Sequence, residues 1–313
     1  MAIDWTAYDS FAWSKAKQSP MDDGQKAAIA QCAADILALA ADERQQAWGQ
    51  ASPPGRFAAT VIRVPPGVAH AFKASAAEEG IDEIGLKLFK TTRDAEREAA
   101  KVLVFHMGEL KRLPGIPNPL VQRSLAAGMY GEGTGRARGY VVQEWVQGAT
   151  LEDWLRTCWP IHPPDGDSVC NIIEQLFDGI IIPLWHAGTV WWDIRDANFC
   201  YCEQRQVLRM IDVDSLGAYA REILGQNGRW DAREKGRATA LARLRRACVR
   251  LLCAQADAPK GRIENALHEA WASILEPELR LLGIKANGDR AARAALGAFI
   301  GALKRMRLDG CAQ

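Results

Sequence analysis

The chain has 313 residues, 48% of them hydrophobic and 25% charged, with 39 Lys+Arg against 38 Asp+Glu. That length allows one large or two modest domains and a sizeable core without staples, and the ordinary composition excludes a disordered, collagen-like or coiled-coil chain as a whole. A net charge of +1 offers no bulk field for gripping a nucleic-acid backbone, so a nucleic-acid partner is not expected.

Eight cysteines, at 32, 158, 170, 200, 202, 248, 253 and 311, are scattered without a Cys-x-x-Cys pair. This argues against structural zinc and for reduced thiols. The opening MAIDWTAYDSFAWSK carries Asp4 and Asp9 and no apolar run, and the longest apolar stretch, Gly179 to Trp185, is too short to cross a bilayer. The expected setting is cytoplasmic, with no membrane partner.

In chain order, Asp22 or Asp23 caps a predicted helix running to about Trp48, with Ile29, Cys32, Ile36 and Leu37 at helical spacing. Ser52-Pro-Pro-Gly55 breaks the pattern, and two β-like runs follow, Phe57 to Val64 and Ile84 to Phe89. A charged helix is expected from Arg93 to about Leu110, then a Pro/Gly loop from Leu113. Gly139 to Val146 reads as a strand, and Thr150 caps a short helix, Leu151 to Thr157. Ser168 to Trp185 is helical, Phe199 to Val213 is a hairpin about Glu203–Gln206, and four helices follow, at 232–255, 262–275, 276–283 and 288–307. Strands dominate the first part and helices the last, which predicts an α+β fold with two lobes.

The stretch that carries chemistry is His186-Ala-Gly-Thr-Val-Trp-Trp-Asp193-Ile-Arg195-Asp-Ala-Asn198-Phe, followed by Met210-Ile-Asp212-Val-Asp214-Ser. An Asp, an Asn five positions on, and a further Asp at the end of an apolar strand resemble the catalytic and metal-binding segments of the protein-kinase-like superfamily, divergently represented here. The resemblance implies a bilobal fold: an N-terminal helical extension at 1–48, a β-rich N-lobe with hinge at 49–146, and a helical C-lobe at 147–313. It implies ATP and Mg²⁺ as cofactors, with Asp193 as the base that receives the acceptor's proton, Arg195 steadying the transferred phosphoryl group, and Asn198 and Asp212 as metal ligands.

On the same resemblance, Lys87 in Ile84-Gly-Leu-Lys87 contacts the α/β-phosphates, and Glu98, with Glu96 as the alternative, holds that lysine. Tyr140-Val-Val-Gln143-Glu144-Trp-Val146 resembles the hinge, with Gln143 as gatekeeper and the backbones of Glu144 and Val146 bonding adenine. The stretch Gly49 to Phe57, with Gly55, lies over the glycine-rich loop, but its two prolines remove backbone donors. Trp191 and Trp192 replace the family's His and Arg, and Asp214 replaces its Gly. Asp231 follows Asp212 closely, which leaves a short activation segment.

The expected activity is transfer of the γ-phosphoryl group of ATP to a hydroxyl, of protein Ser/Thr first and of a small molecule second. A pseudokinase acting as a nucleotide-binding or scaffolding module is the alternative. The basic helix face of Arg243, Arg246 and Arg250 reads as solvated or paired with internal acids. A protein partner would use the N-terminal extension or the C-terminal helices.

Overall fold

The computed structural model describes residues 22–38, 51–52, 58–64, 66–78, 80–89, 120, 122–130, 138–157, 166–186, 194–211, 229–253 and 260–310. The chain is α+β and divides into two compact units, the first spanning 1–112 and 122–146 and the second 113–121 and 147–313.

The first unit opens with α1 (Asp23–Ala38). Its start is a reciprocal cap: the Gln25 N–H donates to Asp22 Oδ1 at 2.7 Å, and the Asp22 N–H donates back to Gln25 Oε1 at 3.2 Å. Strands β1 (Ala51–Ser52) and β2 (Ala58–Arg63) follow, then two short helices that sequence periodicity did not announce, α2 (Pro66–Ala71) and α3 (Lys73–Glu78). The sheet is completed by β3 (Ile84–Phe89), β4 (Ser124–Tyr130) and β5 (Arg138–Glu144). All pairings are antiparallel, in the order β1-β2-β3-β5-β4.

Register gives this sheet two distinct faces. Ile62, Leu86, Val142 and Ala126 lie directly across from one another, and all four are core residues. They pack with Ile29, Cys32 and Ala33 of α1, with Val68 of α2, and with Phe72 and Ala76. The three helices thus cover one side of the sheet. Gln25 Nε2 also donates to Ala71 O at 3.0 Å, which ties α1 to the end of α2. The next row, Val61, Lys87 and Val141, belongs to the opposite face because side chains alternate along each strand.

The second unit begins with β6 (Ala149–Thr150) and α4 (Leu151–Thr157). Thr150 Oγ1 accepts the Asp153 N–H at 3.0 Å, the N-cap expected from sequence. A continuous helical run follows: α5 (Gly166–Glu174), a π-helical segment (Gln175–Ile181) and α6 (Ile182–His186). A single helical turn at Asp196–Asn198 leads into β7 (Phe199–Cys202) and β8 (Val207–Met210), and then come α7 (Arg229–Cys253), α8 (Lys260–Ala270), α9 (Glu276–Leu281) and α10 (Gly288–Gly310).

The run Gly166–His186 is 21 residues, within a few residues of the helix expected over Ser168 to Trp185, and by length and composition alone it is enough to cross a bilayer. It is mostly buried inside the protein instead. Leu176, Phe177 and Ile180–Ile182 are sealed in the core. Phe177 meets Trp271 at 5.8 Å between ring centroids, and Trp271 meets Phe299 of α10 at 5.9 Å. Trp271 keeps its polar edge satisfied by donating Nε1–H to Glu276 at 2.7 Å.

Gly148 precedes β6 at φ +125°, and a Cβ there would lie 2.6 Å from Tyr201 O. The close approach lets β6 pair with β7. Two stability changes are expected. Phe72→Ala removes a ring sealed under α1 and lowers unfolding free energy by about 3–5 kcal/mol. Gly148→Ala combines strained backbone with a clash and costs about 1–3 kcal/mol. Urea unfolding of each variant measures both.

Candidate functional site

The residues singled out by sequence divide between the two units. In the first, Lys87 is half-buried at the middle of β3, opposite Val61 on β2 and Val141 on β5. Gln143 is one step along the same face, opposite Gly85. Val146 is buried just beyond β5.

Glu144 alternates to the helix-covered face, opposite Ile84, and is 6% exposed. Its carboxylate accepts from Arg123 Nε and Nη2, each at 3.3 Å, and Arg123 Nη2 also reaches Gly80 O at 3.0 Å. Its peptide groups are engaged too. The Glu144 N–H donates to Arg123 O at 2.8 Å, and the Glu144 carbonyl accepts from the buried Gln122 Nε2 at 2.9 Å. The hinge role expected of this backbone therefore meets a peptide that already has partners on both sides. Gln122 and Arg123 were not anticipated from sequence, since nothing local marks a residue that pairs across a sheet.

In the second unit, Arg195 is exposed and extended, at φ −136° and ψ 150°. The chain then turns, with Asn198 N–H donating to Arg195 O at 2.9 Å, so that Asp196 and Asn198 are buried. Asn198 immediately precedes β7. At the other end of the hairpin, the Ile211 N–H donates to Asn198 O at 2.9 Å. This bond joins Asn198 to the residue that precedes Asp212 in sequence.

The hairpin is held from the central helix by Gln175. Its Oε1 accepts the Leu208 N–H at 2.9 Å, and its Nε2 donates to Gln206 O at 2.8 Å. On the other side, Trp154 of α4 packs on Tyr201 of β7 with ring centroids 4.7 Å apart. Asp193, Asp212, Glu98 and Gly55, like Glu96, Trp191, Trp192 and Asp214, lie outside the described residues.

A further acid on the same loop has a defined structural role. Asp196 is 6% exposed and meets Arg250 Nη1 of α7 at 2.5 Å. Burial lifts its carboxyl above the usual carboxylate range, Arg250 pulls it back, and Glu152 pushes it up. Arg250, read from sequence as part of a basic helix face either solvated or paired with an internal acid, is exposed over more than half of its side chain yet pairs with this acid. Arg246 Nε in turn approaches Ala242 O on its own helix at 3.4 Å.

The thiols of Cys32, Cys170, Cys200 and Cys248 are buried. Burial pushes Cys200 on β7 and Cys248 on α7 up to about 12, as it does Cys32, so these sulfurs stay protonated. Among the described residues no three His, Cys, Asp or Glu side chains gather closely enough to hold a metal ion. The donor types at Asn198 and Asp212, a carboxamide and a carboxylate oxygen, do suit a hard cation such as Mg²⁺. Comparison with protein-family models and with curated proteins finds no match for this chain.

Arg250→Ala leaves the Asp196 carboxyl buried without its cation and lowers stability by about 1–3 kcal/mol at neutral pH. A carboxyl whose folded pKa is raised binds protons more readily folded than unfolded, so its contribution falls as pH rises above about 4. Loss of Arg250 raises that pKa further. The gap between Arg250→Ala and the parent should widen from pH 4 to pH 8 and close below pH 4, as measured by urea unfolding at each pH.

Proposed function

We infer that the protein is an ATP- and Mg²⁺-dependent phosphotransferase of bilobal, protein-kinase-like architecture, acting on a hydroxyl, with protein Ser/Thr as the first acceptor class. The observation that carries this reading is the hairpin β7–β8. Its closing bond from Ile211 to Asn198 brings together the two chain positions from which a buried amide and the following acid, Asp212, are supplied. Two further features support it. The first unit is a five-stranded antiparallel sheet in the order β1-β2-β3-β5-β4, with Lys87 on its middle strand. The second is helical around a small three-stranded sheet.

The chemistry follows from the residue types. Asp193 receives the proton of the acceptor hydroxyl as that oxygen forms its bond to the γ-phosphorus, and the bond from the γ-phosphorus to the bridging oxygen breaks, leaving ADP. Lys87 and Arg195 supply positive charge to the phosphate oxygens. Asn198 and Asp212 would hold a magnesium ion through their oxygens, and the ion would supply positive charge to the triphosphate. Asp196, turned inward to Arg250, positions the loop and takes no part in proton transfer.

Incubation of the full chain with γ-labelled ATP, Mg²⁺ and a generic protein acceptor tests this reading. Label should pass to protein, and Asp193→Ala should lower the rate by at least about 100-fold while ATP binding persists. Lys87→Ala should abolish transfer and weaken ATP. Wild-type turnover by the Asp193 variant would refute the assignment of the base. ATP binding without transfer by the parent protein would instead support a nucleotide-binding module.

A further inference from the structure

One helix of the second unit carries charge of a single sign beside the candidate loop. From Arg237 to Cys253, α7 holds five arginines and no acid, in a chain whose charges sum to only +1. Arg246 and Arg250 are both exposed and stand one turn apart on one face, about 6 Å along the helix. Arg243, three residues before Arg246, is half-buried and engaged by partners of its own. Like charges at this spacing repel and cost the helix stability. An anionic partner offsets that cost.

Arg250 joins this strip to the loop. Its Nη1 meets the buried Asp196, yet 58% of its side chain is exposed. A guanidinium has five N–H donors, so one carboxylate oxygen leaves most of them facing outward. Arg246 reaches the carbonyl of Ala242 on its own helix, at 3.4 Å. Among the described residues no acid other than Asp196 pairs with either arginine. Arg195, the chain neighbour of Asp196, is exposed as well.

The spacing suits a peptide. Alternate side chains of an extended segment lie about 7 Å apart on one side, close to the rise between Arg246 and Arg250. Carboxylates two residues apart can therefore each take one guanidinium in fork geometry. A nucleic-acid backbone fits less well, because its grip is built from many phosphate contacts and this strip is two arginines long.

We propose that Arg246 and the outward edge of Arg250 dock an acidic, extended segment of the protein acceptor, beside the loop that carries Arg195 and Asn198. This rests on the phosphotransferase reading and names its substrate class: a Ser/Thr acceptor flanked by carboxylates at alternate positions.

The test is fluorescence anisotropy of the full-length protein with two labelled peptides that share one serine. One carries aspartates at alternate flanking positions and the other asparagines. Transfer from γ-labelled ATP to each peptide is then measured, and thermal melting confirms that each variant is folded. The aspartate peptide should bind about tenfold more tightly, and the difference should shrink as salt is raised. Arg246→Glu should erase this preference, leave transfer to the asparagine peptide unchanged, and favour a third peptide with lysines at the same positions. Arg250→Lys keeps a cation for Asp196 but loses the fork, so it should reduce the preference about threefold.

Equal binding of the aspartate and asparagine peptides, or a preference that survives Arg246→Glu, overturns this proposal; label transfer to both peptides then leaves the phosphotransferase reading standing. Arg246-dependent binding of the aspartate peptide without transfer upholds the docking surface and overturns the phosphotransferase reading instead. A single-stranded DNA that binds through Arg246 more tightly than the aspartate peptide assigns the strip to nucleic acid and overturns the proposal.

Discussion

Lys87 stands between Leu86 and Leu88, two side chains with no exposure at all, and this alternation fixes what the first unit offers chemically. A slip of one residue in the β3 register would send both leucines to the opposite face and drive the ammonium group into the cluster of Ile29, Phe72 and Val142. Burying that charge without a partner costs far more than the strand pairing returns. The row Ile62–Leu86–Val142–Ala126 therefore holds the register, and the polar face follows from it. Hydrophobic packing on one side positions the cation on the other.

The second unit secures its loop differently, through contacts from several helices. Asp196 is drawn in by Arg250 from α7, the hairpin is gripped at two points by Gln175 of the central helix, and its base is closed by the bond between Ile211 and Asn198. Trp154 buttresses β7 from α4. Each tie is modest, but together they hold the residues on either side of the turn in one arrangement. The free energy for this comes from the sealed core around Phe177, Trp271 and Phe299, which anchors the helices that reach out to the loop.

Local chemistry made much of this fold readable in the sequence. Ile84–Phe89 and Phe199–Met210 carry strand patterning in their own residues, and Thr150 announces its helix through a cap three residues from its partner. Strand β4 was missed because Ser-Leu-Ala-Ala-Gly-Met-Tyr has no β-branched residue; it is a strand because β5 pairs with it. Helices α2 and α3 are six residues each, too short to show a period, and exist by packing Val68 and Ala76 under α1. For the candidate site, the sequence supplied residue types and spacing on the loop before β7. It was silent on Gln122 and Gln175, whose partners lie far away in the chain, and it offered an internal acid as a partner for Arg250 without pointing to Asp196. The helix read over Ser168 to Trp185 is present as the continuous run Gly166–His186, although only Gly179 to Trp185 forms an unbroken apolar stretch.

The covering of one sheet face by α1, α2 and α3 bears on how the chain can be dissected. A fragment trimmed to begin at the first strand would keep every β-ladder bond yet lose Ile29, Cys32 and Ala33, baring the greasy side of a sheet whose edge strand β1 is only two residues long. Such a piece would be prone to self-association through that surface. The smallest autonomous version of the first unit thus reaches upstream of its strands to the cap at Asp22.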